Sequence, residues 1–111
     1  MDKKQAIELF SEKAKVIVSD EIASEIKRKV VDIVEAFKEL NLAVIDDEDF
    51  RKDLTEELDW LVEAIWNSDN EIGTIMNMCA IVVLTIVKWS HIVKGDFVRA
   101  MFLKQAIDIL K

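Results

Sequence analysis

The sequence predicts an all-α protein, a compact bundle of about five helices around a nearly all-apolar central helix at residues 72–94. The 111 residues include no Pro and only two Gly, which leaves little material for tight turns. No segment alternates apolar and polar residues with a period of two, whereas several segments repeat apolar residues at helical spacing. A chain of this length forms one domain, which we expect to include residues 1–111.

The central segment, from Ile72 to Val93, is apolar on nearly every side. At about 100° per residue, only one narrow strip is less apolar. Such a helix is either a buried core helix or a membrane span, and its length is close to the roughly 20 residues that a bilayer requires. Asn77, Lys88 and His91 inside the segment favour a core helix, so we do not expect a membrane partner. The strip consists of Thr74, Asn77, Ile81, Thr85 and Lys88.

Two amphipathic segments precede residue 41. In one straight helix their apolar stripes would be rotated from each other by roughly 140°, which predicts a break near Ser19 and Asp20, where either residue can serve as the N-cap. One long helix that contacts two different neighbours is the alternative. The first helix is predicted from about Asp2 to Val18, and Asn41 is a plausible stop for the second. The stripes expected to face the core are Ala6, Ile7, Phe10, Ala14, Ile17 and Val18, then Ile22, Ala23, Ile26, Val30, Ile33, Val34, Phe37 and Leu40.

Two residues of the first segment, Leu9 and Val16, lie outside its stripe. They either pack at the edge of the core or form a second contact surface for another subunit.

The third helix follows a short apolar connection that we expect to pack onto the core, and Asp46 or Asp47 can cap it. Acids in its first turn suit the positive end of the helix macrodipole. Its stripe of Phe50, Leu54, Leu58, Leu61 and Ile65 predicts a buried side, with acidic residues opposite.

The last helix is predicted after Gly95, a helix C-terminal glycine, with Asp96 as its N-cap. Phe97 and Met101 fall beside charged residues instead of on the broad apolar side. That side consists of Val98, Phe102, Leu103, Ala106, Ile109 and Leu110.

The net charge of −7 is concentrated in one segment. Residues 46–71 carry eleven acids and two bases, giving −9, whereas residues 1–45 give −1 and residues 72–111 give +3. This balance argues against direct nucleic-acid binding. The single Cys forms no intramolecular disulfide and the N-terminal segment has no signal-peptide pattern, so we expect a cytoplasmic protein.

The residue types that catalysis and metal binding require are sparse. Cys79 and His91 are twelve residues apart on one helix, about 18 Å along its axis, so they cannot form a nucleophile–base pair. Cys79 is expected to be a small buried hydrophobe, and His91 a structural or partly solvated residue. We expect no catalytic residue, metal site or cofactor.

The tryptophans indicate contact surfaces, because Trp is enriched at binding hot spots. Trp89 is expected in the core. Trp66 either projects from the third helix or folds back over the loop at residues 67–71. The candidate partner-binding residues are Trp66, Trp60, Asp49, Asp53, Glu56, Glu63, Phe97 and Met101.

Two hypotheses of function follow. The first is a non-catalytic helical protein–protein interaction module that self-associates as a homodimer, because the apolar surface exceeds what five short helices can hide. The alternative is an acidic adaptor or nucleic-acid-mimicking decoy that docks residues 46–71 on a basic partner protein.

Overall fold

The computed structural model describes residues 2–111 and confirms the predicted all-α bundle. Its five helices are α1 (Lys3–Ala14), α2 (Asp20–Leu42), α3 (Glu48–Asn67), α4 (Ile72–Val93) and α5 (Phe97–Leu110). Neighbouring helices of the series α2, α3, α4 and α5 run antiparallel. Lys38 of α2 reaches Asp59 of α3, Lys88 of α4 reaches Glu57 of α3, and Asn77 of α4 donates to the Leu110 carbonyl of α5.

The predicted break between the first two helices is confirmed. The Ser19 hydroxyl accepts a hydrogen bond from the Ile22 N–H at 3.4 Å and caps α2. The prediction that the first helix continues to Val18 is wrong, because it ends at Ala14. The chain then pairs with the segment before α4: the Val18 N–H donates to the Asn70 carbonyl at 2.8 Å. The neighbouring bond from the Ile72 N–H to the Val16 carbonyl measures 2.9 Å.

The other predicted helix ends are close to those observed. Asp47 caps α3 and Asp96 caps α5, each by accepting from a backbone N–H three residues later. Gly95 has a φ of 81°, the left-handed conformation that ends a helix and that glycine adopts without steric cost. The second helix passes Asn41 by one residue and ends at Leu42.

The core lies between α2, α3 and α4, and α5, which packs on α4, adds Ile107 to it. Leu54, Leu58, Leu61 and Ile65 of α3 are buried, as the stripe predicts, whereas Phe50 is exposed. Trp89 is buried, as predicted, and Ile45 of the connection packs onto the core while Val44 is exposed. The remaining core residues are Val34, Ile81, Val82 and Ile107.

Two lysines within this core have polar partners. Lys88, 7% exposed, forms an ion pair with Glu57, and the same carboxylate accepts from Trp89 Nε1 at 2.9 Å. Lys27 of α2 donates to the Ser68 carbonyl at 2.6 Å, at the C-terminus of α3 where a cation suits the helix dipole. Because a buried charge without a partner costs free energy, these contacts fix how α2 and α4 sit on α3.

Several residues that the stripes place in the core are on the surface instead. No described residue of α1 is buried, and Ile7, Phe10 and Ile17 are exposed. On α2 the exposed members are Ile22, Ile33 and Leu40. On α5 they are Val98, Phe102 and Ile109. The periodicity identified amphipathic helices correctly, but the chain supplies only part of the surface that would cover them.

The bundle is flat. Its principal-axis extents are 50 × 33 × 16 Å, and its radius of gyration is 16.0 Å, against about 13 Å for a typical domain of this length. A thickness of 16 Å leaves room for two layers of helices, since packed helix axes lie about 8–10 Å apart. The outer side of α4 is exposed at Met76, Val83 and Val87, and α1 contacts this helix near its N-terminus, at Gly73.

Candidate interaction surface

The expectation that α4 is buried all round is wrong. Its narrow polar strip lies on the inner side, where Ile81, Thr85 and Lys88 are buried. The opposite side is apolar and uncovered: Val83 is 59% exposed, and Met76 and Val87 are also exposed. Cys79, predicted to be buried, is half-buried on the side of α4 that faces Ile26 and Val30 of α2. The contacts of α4 with Glu57 of α3 explain why the strip faces inward. Lys88 forms an ion pair with Glu57, and Trp89 Nε1 donates to the same carboxylate.

The outer side of α5 is also apolar. Phe102 is 67% exposed and Ile109 is 82% exposed. Phe97 and Met101, two of the predicted partner-binding residues, are exposed as well and line a shallow apolar groove of about 200 Å³. The groove also includes Val98, Phe102 and Gln105. Phe97 lies on the α3 side of the helix, with its ring centroid 6.2 Å from that of Phe50.

Helix α1 is attached at its C-terminal end only. An added Cβ at Gly73 of α4 would lie 3.0 Å from Ala14 Cβ, so the two backbones approach as closely as glycine allows. The rest of α1 extends away from the bundle with Ile7, Leu9 and Phe10 in solvent. A helix of 12 residues is marginal in water without tertiary packing.

The total accessible surface is large for the mass. It is 7560 Å² for a chain of 12.8 kDa, whereas a monomeric protein of this mass exposes about 6,300 Å². The difference is about 1,300 Å². Exposed apolar residues of α1, α2, α4 and α5 contribute to the total surface. Contiguous apolar patches of this kind mark interaction sites in soluble proteins.

The other two tryptophans lie away from this surface. Trp66 is 47% exposed and lies beside the first turns of α2 instead of folding over the loop at residues 67–71, in an open depression lined by Glu21, Glu25 and Arg28. Trp60 is equally exposed, and Lys111 Nζ lies 4.5 Å from the centroid of its ring, within the range of a cation–π interaction.

The predicted acidic residues are all on the surface of α3. Asp49, Asp53, Glu56 and Glu63 are exposed, and Glu56 lies 3.9 Å from Lys52. Lys38 neutralises part of the neighbouring charge, since it contacts Asp59 at 2.9 Å and Glu35 at 3.4 Å. Its hydrogen bond to Asp59 raises the pKa of Lys38 above the ordinary value. These acids lie in the layer opposite the uncovered side of α4.

The single histidine and the single cysteine lie at different positions along α4 and have different surroundings. His91 Nδ1 lies 3.9 Å from an Asp96 carboxylate oxygen at the corner between α4 and α5. Cys79 is a free thiol near the middle of α4. Within residues 2–111, no three His, Cys, Asp or Glu side chains are grouped so that they could hold a metal ion.

The outer side of α4 is a surface that the sequence pattern did not predict. Met76, Ala80, Val83 and Val87 follow one another at spacings of four, three and four residues, which is the spacing of a coiled-coil seam. That pattern could have identified the stripe, but equally apolar residues on the other sides of the segment obscure it. Comparison with protein-family models, curated proteins and solved structures found no match for this chain.

Proposed function

We propose that this chain is a non-catalytic helical interaction module that self-associates as a homodimer. The observation that carries the proposal is the uncovered apolar surface. Val83 of α4 is 59% exposed, and Phe102 and Ile109 of α5 are 67% and 82% exposed. The total surface is about 1,300 Å² larger than that of a typical monomer of this mass, and a standard stable interface buries roughly 800 Å² per partner. Two-fold dimers are the commonest assemblies of identical chains.

Helix α1 supports the same proposal. It has a capping box at Asp2 and Gln5, yet it has no buried residue among those described. Local capping contributes little compared with tertiary burial of an amphipathic face. Residues such as Ile7 and Phe10 therefore require a contact that this chain alone does not provide.

A membrane is the other environment that could cover apolar helices. By length and composition, α4 could cross a bilayer. However, α3 lies along α4 from Ile65 to Glu57, and its outer side carries Asp53, Glu56 and Glu63. Each acid carried to the bilayer centre costs about 2.5–3.5 kcal/mol or more, which favours a protein partner.

The concentration dependence of unfolding tests this function. When subunits fold and associate together, mass action makes the apparent stability rise with protomer concentration. We expect the midpoint of urea unfolding, followed by far-ultraviolet circular dichroism, to increase steadily between low and high micromolar protein. A midpoint that is the same at all concentrations would show that the folded state is the monomer and would contradict the proposal.

A further inference from the structure

The outer face of the α4–α5 hairpin is the best-defined uncovered surface of the bundle. We propose that this hairpin face, consisting of the stripes Met76, Ala80, Val83 and Val87 of α4 and Val98, Phe102 and Ile109 of α5, is the seam of the homodimer. Its occupant is the same face of a second copy, which gives an interface of four helices. This inference rests on the proposed function and assigns it a surface.

The orientation of α4 places its stripe outward. The stripe lies roughly opposite Val82, Thr85 and Trp89 when residues are placed at about 100° intervals around the helix. Those three residues are buried on the side of α3, and Trp89 bonds to Glu57 of that helix. The stripe of α4 therefore faces away from the α2–α3 layer.

The orientation of α5 places its stripe on the same outer side. Phe97 contacts Phe50, and Lys111 lies over Trp60, so these two ends of α5 mark the side that faces α3. Val98, Phe102 and Ile109 are rotated from that side by roughly 140°. Because α4 and α5 are antiparallel neighbours joined at Gly95, the two outward stripes lie side by side on the outer side of the hairpin.

The distribution of charge distinguishes this face from the others. Residues 72–87 contain no charged side chain, and the whole segment of residues 72–111 carries +3. Residues 46–71, with −9, lie mainly in the other layer. Contact between two hairpin faces keeps the two acidic helices apart, whereas contact through α3 would bring like charges together.

The spacing of the α4 stripe also fits a second copy. The four-three-four spacing of the α4 stripe is that of helices packing side by side, and Ala80 allows a close approach. In a two-fold interface the same patch meets itself, so the face needs no complement elsewhere. The apolar groove between Phe97 and Gln105 borders the face and offers room for side chains of the second copy.

Substitutions on the face test the assignment. We expect Val83→Glu and Phe102→Glu each to weaken association, so that the mass from sedimentation equilibrium falls from twice 12.8 kDa toward 12.8 kDa. Ile33→Glu and Leu40→Glu are the matched controls, since they place the same charge at exposed apolar positions of α2, and they should leave the mass unchanged. Loss of the dimer in the controls but not in the face variants would overturn the assignment.

A distance measurement keeps the inference testable if the face variants fail to fold. Single nitroxide labels are placed at Gln105→Cys, a polar position at the rim of the face, or at Asp53→Cys on α3, both in a Cys79→Ser chain. We expect pulsed electron paramagnetic resonance to give a shorter label-to-label distance in the Gln105→Cys dimer than in the Asp53→Cys dimer.

The outcomes separate this inference from the proposed function. A dimer in which the Asp53→Cys distance is the shorter one overturns the hairpin seam and leaves self-association standing. A native chain that sediments as a monomer overturns both. A chain that stays in solution only with detergent assigns the face to lipid and likewise overturns the inference.

Discussion

Glu57→Ala is expected to lower the free energy of unfolding by about 3–5 kcal/mol, the cost of leaving a buried charge without its partner. The Glu57 carboxylate accepts hydrogen bonds from both Lys88 Nζ and Trp89 Nε1, and the Lys88 side chain is only 9% exposed. Alanine removes both acceptors and leaves the ammonium group inside the core. The loss is measured by urea unfolding at one fixed protein concentration, because association also affects apparent stability.

Two further variants show whether the charge is the cause. Glu57→Gln keeps an acceptor for Trp89 but removes the charge, so its loss should be smaller than that of Glu57→Ala. Combining Glu57→Leu with Lys88→Met should recover most of the stability, since apolar residues often replace a buried ion pair at little cost. A loss below about 1 kcal/mol for Glu57→Ala would mean that water reaches Lys88 and that the pair behaves as a surface pair.

Leu58→Ala is expected to cost about 2–5 kcal/mol, because it removes buried methyl groups and leaves a cavity. Leu58 is 0% exposed and lies between neighbours on the same stripe of α3, Leu54 and Leu61. Its matched control is Leu40→Ala on α2, where the side chain is exposed and the cost should stay within about 0.5 kcal/mol. Equal losses in the two variants would contradict the placement of the core between α2, α3 and α4.

The sequence was sufficient for the five helices and for most of their ends, although not for the C-terminus of α1. Ser19, Asp47, Gly95 and Asp96 act locally, through their own side chains or φ angle, so their roles can be predicted without knowledge of the fold. The stripe of α3 was also predicted correctly, because apolar and acidic residues separate cleanly around that helix.

The sequence was insufficient where every side of a helix is apolar. In α4 the buried side is decided by Lys88 and its contact with Glu57, which lies 31 residues away in the chain. A polar residue normally marks the solvent-facing side of a helix, whereas Lys88 marks the buried side of α4. The exposed tryptophans Trp60 and Trp66 were identified, but the outward stripe of α4 was hidden among equally apolar neighbours.

Helix α1 shows a second limit of prediction from helical periodicity. Periodicity indicates that a helix has an apolar face, but it carries no information on whether the same chain or another covers it. The stripe containing Ile7 and Phe10 was expected in the core of this chain, and the structure leaves it in solvent. The amphipathic pattern of α1 is therefore consistent with burial in an assembly instead of in the monomer.

The solution mass from light scattering in detergent-free buffer, at low and at high salt, tests self-association most directly. We expect twice 12.8 kDa at both salt concentrations, because an apolar seam is little affected by screening. A mass of 12.8 kDa at high micromolar protein would contradict it and would leave the apolar faces of α1, α4 and α5 without the partner proposed here.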